Sequence, residues 1–326
     1  MNLVLPRVSL AHLPTPLEPL PRLSATLGGP HIMIKRDDQT GLAGGGNKTR
    51  KLEFIVADAL AQNADTLVTL GSAQSNHCRL TAAAAARCGL RCILVLRGQA
   101  PARATGNVLL DHLLGAEVVW SGERAREVVL EEIVAEERAA GRRPYPVALG
   151  GSIPLGAVGY ALAMRELKAQ MEAQGLSVER ILFASSSGGT HAGLVVGARM
   201  TGFQGEVLGI SIDENRETLR NRVAHLATET ARLLGQTHTF APEEISANAD
   251  YLGGGYAVVG QAERGAINLF ARAEGIMLDP VYTARAAAGM LDLIRRRALG
   301  KQETVLFWHT GGTPALWAYA DQISDW

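Results

Sequence analysis

Short runs that are apolar on both faces alternate along this chain with longer Ala- and Leu-rich stretches of helical period. That alternation restricts the fold more than any other feature of the 326-residue sequence. The runs lie at 65–70 (DTLVTL), 92–97 (CILVLR), 116–120 (AEVVW), 179–184 (ERILFA), 206–213 (EVLGISID) and 304–309 (TVLFWH). A strand of a parallel sheet covered by helices on both sides has no polar face, so it reads this way. The helical stretches fall at 48–62, 76–88, 105–114, 123–140, 157–174, 191–200, 216–234, 261–274 and 284–298. The βαβ rhythm predicts an α/β fold of mostly parallel, twisted sheets.

Such sheets collect their chemistry at the C-terminal ends of strands, where loops enter helices. The Gly-, Ser- and Asn-rich segments sit there: 71–77, 185–190 and 309–313. Three polar loops in equivalent positions predict one shared cleft. The Pro/Gly-rich stretch 142–160 is the expected crossing between two domains.

Charge excludes several partners. Lys plus Arg and Asp plus Glu number 32 each, so no net field draws in nucleic acid or an anionic membrane surface. No stretch approaches the ~20 apolar residues of a membrane span, and the N-terminal segment has no continuous apolar core. A cytoplasmic protein is expected. Cys78, Cys88 and Cys92 lack CxxC spacing and read as buried free thiols, neither disulfide framework nor metal site.

An anion must therefore be held locally, and three segments offer the means. In KRDDQTGLAGGGNKTRKLEF (35–54), Gly44, Gly45 and Gly46 let the backbone approach a bulky group, and Asn47 is placed to cap the helix that follows. Lys48 then stands in the first turn. The helix field there lowers an amine's pKa and favours a nucleophile, although spacing alone also allows a solvated surface lysine. In LGSAQSNHCRL (70–80), Ser75, Asn76 and His77 lead into an alanine-rich helix whose free amides suit a carboxylate. In FASSSGGTHAGLVVG (183–197), Ser187, Gly188, Gly189 and Thr190 join a strand to a helix and suit a phosphate dianion held by neutral donors. The lysine of a nucleotide P-loop and the spaced glycines of a dinucleotide fingerprint are both missing.

These segments resemble the fold type II (tryptophan-synthase-β-like) pyridoxal-phosphate enzymes. The resemblance is to the branch that holds D-cysteine desulfhydrase, 1-aminocyclopropane-1-carboxylate deaminase and L-cysteate sulfo-lyase. It runs nearly end to end, through 13–29, 34–54, QSNH (74–77), GNVLLDHLLGAEV (106–118), SSGGTHAGL (186–194), LDPVYTARAAAGM (278–290) and HTGGTPALWAY (309–319). The resemblance implies pyridoxal 5′-phosphate as cofactor, a small amino acid as substrate and a homodimer. It implies a large cofactor domain, 1–51 with 157–326, and a small domain, 52–156, that carries the substrate loop. Lys48 matches the Schiff-base lysine that also shuttles the Cα proton. Gln74, Ser75, Asn76 and His77 match the substrate loop, with Asn76 also reaching the cofactor's phenolic oxygen. Ser187 to Thr190 match the phosphate cradle. Tyr256 and Tyr282 match two active-site tyrosines, which by residue type alone read as core aromatics.

Ring-opening deaminases carry an acid after the second tyrosine and a leucine before the last glycine pair. Here those places hold Thr283, expected beside the substrate, and Thr310, expected beside the cofactor. A hydroxyl cannot keep the cofactor's ring nitrogen protonated as a carboxylate would. The pair therefore favours β-elimination of a sulfur group, foremost from D-cysteine, over ring opening. Arg97 and Arg103, in the basic stretch 97–110, read as solvated; a guanidinium facing the cleft would select a second anion, such as a sulfonate.

Overall fold

The computed structural model describes residues 5–323 and forms two sheets. In chain order the N-terminal elements are β1 (Leu17–Pro19), α1 (Pro21–Leu27), β2 (His31–Arg36) and α2 (Lys48–Ala61). Next come β3 (Thr66–Gly71), α3 (Asn76–Cys88), β4 (Arg91–Leu96), α4 (Gly106–Leu113), β5 (Glu117–Trp120), α5 (Arg126–Ala139) and β6 (Pro144–Pro146). The chain continues with α6 (Pro154–Gln174), β7 (Arg180–Ser185), α7 (Gly189–Thr201), β8 (Glu206–Ser211), α8 (Arg216–Leu233) and β9 (Ala247–Asn248). It ends with α9 (Gln261–Glu274), α10 (Thr283–Arg295), β10 (Thr304–His309), a 3₁₀ turn (Thr313–Tyr319) and α11 (Ala320–Ile323).

The larger sheet has the order β1-β2-β10-β7-β8-β9, and only β1 runs antiparallel to its neighbour. Alternate residues of its central strands enter opposite cores. Val305 and Phe307 pack under α9 and α10, while Leu306 and Trp308 pack under α6 and α7. Burying each such side chain contributes about 1.5–3 kcal/mol. The smaller, all-parallel sheet has the order β5-β4-β3-β6. Leu67, Leu94 and Leu96 face α2 and α3; Val68, Ile93 and Val95 face α5.

Helix α2 joins the two halves, packing on both α3 and α6. A Cβ on Gly159 of α6 would lie 2.3 Å from the carbonyl of Arg50, so only glycine allows this approach. Buried Arg50 donates to Asp37 at 2.8 Å and to Glu166 at 2.9 Å, and Tyr160 donates to Asp37. Arg50 overcomes the burial of Asp37 and holds its carboxyl at about 2. This network ties the start of α2 to β2 and α6, and Lys48 opens that helix.

All six expected strands and nine expected helices are present, with ends moved by three residues or fewer. Strand β2 was not foreseen. It lies beside β10 in the sheet, yet its apolar run is only Ile32–Ile34 and its fully buried Lys35 answers Glu166 at 2.5 Å. All four strands of the smaller sheet fall between residues 66 and 146. The chain leaves that sheet at 147–153, inside the Pro/Gly-rich stretch. Cys78 and Cys92 are buried free thiols, whereas Cys88 is only half-buried.

Candidate active site

Loops from the C-terminal ends of both sheets enclose a cavity of about 490 Å³. Lys48, Ser75, Asn76, His77, Ser187, Gly188, Thr190, Tyr256, Tyr282 and Thr310 all line it. Residues far apart in sequence are thus brought to one cavity.

The turn before α2 requires glycine. Gly44, Gly45 and Gly46 have φ of +85°, +69° and +132°, and a Cβ on Gly45 would lie 2.0 Å from the Asp38 carbonyl. Lys48 follows at once, its amine donating to Asn47 Oδ1 at 3.2 Å. Burial lowers its pKa to about 8, against the opposing charge of Asp279. Burial, which the sequence could not show, thus drives the shift. Asn47 does not cap α2 through its side chain. It bridges instead, accepting from Lys48 and donating to Thr190 Oγ1 at 2.9 Å, so the amine and the anion turn are one construction.

That turn joins β7 to α7, with Gly188 at φ +88°. Ser187 Oγ lies 2.8 Å from Ser152 Oγ, and the Gly189 amide donates to Ser152 Oγ at 3.1 Å. Gly189 stands behind the wall itself; a Cβ there would meet Ser152 Oγ at 2.7 Å and Lys51 Nζ at 2.8 Å. Lys51 corrects the picture of a cradle with neutral donors only. It is 1% exposed and donates to the Gly150 carbonyl at 3.1 Å and to Ser152 at 3.3 Å, with no carboxylate partner among the described residues. Burial and the charge of Lys48 push its pKa well down. A phosphate dianion would supply the missing counter-charge, so these residues fit a phosphorylated cofactor.

Opposite lies the start of α3. Ser75 caps it, accepting from the Cys78 amide at 3.1 Å, and Asn76 Oδ1 accepts from Asn107 at 2.9 Å. His77 Nε2 lies 2.8 Å from Thr69 Oγ1, whose hydroxyl donates to the Val147 carbonyl. Nε2 must therefore be the donor, and Nδ1 has no partner. Burial and the charges of Lys48 and Lys51 hold the ring neutral.

Two residues expected against the substrate stand elsewhere. Gln74 accepts from the Asn107 amide at 2.8 Å and donates to the Thr105 carbonyl, bracing the loop from behind. Thr283 is fully buried, its hydroxyl donating to Asp279 Oδ1 at 2.7 Å and accepting from the Asp279 amide at 2.8 Å. Neither lines the cavity. Of the two threonines, only Thr310 does. The cavity also holds an acid that sequence reasoning missed: Asp213, which accepts from Ser186 at 2.7 Å.

The phenols of Tyr256 and Tyr282 are 2.8 Å apart, and Ser72 Oγ lies 3.2 Å from Tyr256. Burial raises the pKa of both, that of Tyr282 further because Tyr256 stands against it. Both carry their protons at neutral pH. Arg97 and Arg126 also line the cavity, whereas Arg103 does not.

A poised lysine amine linked through one asparagine to a turn suited to a dianion, at the junction of two largely parallel sheets, defines an enzyme built around an aldehyde-bearing phosphate cofactor. The chain belongs to the family described as pyridoxal-phosphate dependent enzymes, which matches residues 8–311. It is 45% identical to a D-cysteine desulfhydrase of Yersinia enterocolitica, over 98% of this chain and 97% of the relative. It is 39% identical to a putative 1-aminocyclopropane-1-carboxylate deaminase of Pyrococcus abyssi, over 98% and 96%. Among solved structures, one described as an ACC deaminase homologue superposes with a TM-score of 0.90 at 38% identity, covering 98% of this chain and 95% of that one. A threonine deaminase shares the fold at a TM-score of 0.65 and 22% identity. The architecture is that of fold type II pyridoxal-phosphate enzymes.

Proposed function

We propose that this enzyme is a carbon–sulfur lyase that expels the thiol of D-cysteine, giving pyruvate, hydrogen sulfide and ammonia. The observation that carries the reading is the placing of a base and two acids around one cavity. β-Elimination needs a base for the Cα proton and an acid for the departing sulfur. Lys48, with its pKa lowered to about 8, suits the first task, and the proton-bearing pair Tyr256–Tyr282 suits the second. The relatives of 42–45% identity that bear the name D-cysteine desulfhydrase support the same reading.

Lys48 would hold the cofactor's aldehyde. The turn Ser187–Thr190 and Lys51 would hold its phosphate, and Asn76 its phenolic oxygen. Bound there, the cofactor supplies an electron sink for the carbanion formed at Cα. The chain does the rest. Free amides at the start of α3 receive the substrate carboxylate, and neutral His77 adds no competing charge. Lys48 takes the Cα proton. The phenol pair then protonates the leaving sulfur, and Ser72 orients Tyr256 for that transfer. Thr310, which lines the same cavity, would also contact the cofactor. The smaller sheet and its loops, within 52–156, form the domain that brings the substrate, and 1–51 with 157–326 form the domain that holds the cofactor.

Three free thiols suit a reducing compartment, which supports a cytoplasmic setting, and no helix of the described residues is long and apolar enough to cross a membrane. Exposed Leu109, Leu113 and Trp317 support a homodimer.

The test is pyruvate release from D-cysteine, L-cysteine, L-cysteate and, as 2-oxobutyrate, 1-aminocyclopropane-1-carboxylate, by the wild type and Lys48→Ala. D-Cysteine should give the highest kcat/KM, and Lys48→Ala should lose the visible absorbance with at least about 10³ of the rate. Preferential 2-oxobutyrate release would replace this reading with the ring-opening deaminase.

A further inference from the structure

Two guanidinium groups line the cavity and have no part in the chemistry described so far. Arg97 follows β4 and Arg126 opens α5. Arg97 is exposed, and its side chain makes no ion pair or hydrogen bond among the described residues. Among the described residues the one ion pair of half-buried Arg126 is a 3.7 Å contact with its neighbour Glu127, itself 60% exposed. Such a contact contributes little. Among the described residues the one acid of the cavity wall, Asp213, follows β8 of the other sheet and is engaged by Ser186.

Strand order places these charges at one end of the cavity. In the smaller sheet, β5-β4-β3-β6, the phosphate turn meets the segment just after β6 through Ser152 and Gly150. The loop after β3 carries Ser72 and Ser75 and leads into Asn76 of α3, where the substrate carboxylate is received. Arg97 and Arg126 come after β4 and β5, on the far side of that loop from the phosphate turn. The main-chain bridge between Gly98 and Gly122 holds the two segments together. Arg126 is near enough to the first turn of α3 for its charge to act on the Cys78 thiol. Anion-binding groups thus come in sequence: dianion turn, carboxylate loop, guanidinium pair.

We infer that Arg97 and Arg126 form a subsite for a second anionic group, so that the enzyme takes amino acids whose Cβ substituent ends in a carboxylate or sulfur oxyanion. This inference rests on the lyase reading for the orientation of the substrate, with the α-carboxylate at α3 and the Cβ substituent pointing outward past β4. Each guanidinium offers paired donors of the geometry that such oxyanions accept. A sulfur substituent leaves with the bonding electron pair, and the positive field at this end stabilises that charge as it develops. D-Cysteine, with a short thiol, uses the subsite only partly; a sulfonate or a carboxymethyl thioether fills it.

The decisive measurement is binding of acids that lack the amine and cannot react. Calorimetric titration of the holoenzyme compares propanoate with succinate and with 3-sulfopropanoate, which add a second carboxylate or a sulfonate. The wild type should bind at least one dianion about tenfold or more tightly than propanoate. In the double variant Arg97→Gln, Arg126→Gln that ratio should fall to near one, with the propanoate affinity changed less than twofold. Arg97→Gln alone, a change at an exposed position, should lower the ratio at least threefold. A preferred carboxylate or sulfonate in the wild type identifies the terminal group. A wild-type ratio near one, or a ratio unchanged by the substitutions, overturns the subsite. Because none of these acids is turned over, failure of D-cysteine turnover with the preference intact would sink the lyase reading and leave the subsite standing.

Discussion

Lys48 and Lys51 stand three residues apart on α2, and neither has a carboxylate partner among the described residues. Positions at that spacing share one helix face, so two cations are turned towards one cavity at a cost in desolvation and repulsion. A bound dianion offsets that cost, which argues that this region is built for its cofactor. Lys48 was legible in the sequence because glycines and an asparagine surround it in a specific pattern. Lys51 was not, since KTRKLEF reads as an ordinary charged first turn. Its burial depends on Gly150 and Ser152, about a hundred residues away, closing over it. Lys51→Met should therefore weaken binding of pyridoxal 5′-phosphate to the apoprotein by on the order of tenfold to a hundredfold. Binding of pyridoxal, which has no phosphate, should change less than threefold. Absorbance titrations with the two ligands check this; equal losses for both would mean that Lys51 acts on the fold and not on the phosphate.

At the scale of elements, periodicity revealed the strands that are apolar on both faces and the helices that cover them. It missed β2, whose buried Lys35 breaks the apolar pattern because Glu166 of a distant helix neutralises it. It also misjudged caps. Asn47 leaves the start of α2 to serve the site, whereas Asp279 does an unforeseen share of the work at α10. The Asp279 carboxylate accepts from the amides of Val281, Tyr282 and Thr283 and from the Thr283 hydroxyl, at 2.7–3.1 Å. Thr283 thus serves the helix start, and a residue-type comparison at that position could not reveal it. Tyr282 hangs from the same turn, so the cap also positions a phenol of the site. Asp279→Ala should cost about 2 kcal/mol or more, because it removes a cap and leaves buried donors unpaired. The loss appears as a lower urea midpoint of the holoenzyme at unchanged slope. A loss under about 0.5 kcal/mol would mean that water replaces the carboxylate and that the cap does not hold Tyr282.

The whole molecule adds a surface that the site does not use. Helix α4 exposes Leu109 and Leu113, one turn apart, and Trp317 of the 3₁₀ turn is 67% exposed beside it. The two segments touch, since a Cβ on Gly106 would meet the Pro314 carbonyl at 2.9 Å and the Ala318 methyl at 3.1 Å. The apolar side chains therefore belong to one patch. Solvated singly, such residues need no explanation; gathered on adjacent elements, they mark a contact surface. This patch also backs onto the cavity, because Gln74 of the loop before α3 bonds Thr105 and Asn107 at the start of α4. A second copy seated there would hold α4 and thereby steady the loop proposed to receive the carboxylate. The wild type should then sediment at micromolar concentration as a species of twice the 34.6 kDa chain, and Trp317→Glu should shift it to the single-chain mass. The monomeric variant should keep its cofactor absorbance but show a raised KM for the amino acid. A wild type that sediments as a single chain, or a Trp317→Glu protein that stays paired, would assign the patch to some other contact and leave the substrate loop to be held by its own hydrogen bonds alone.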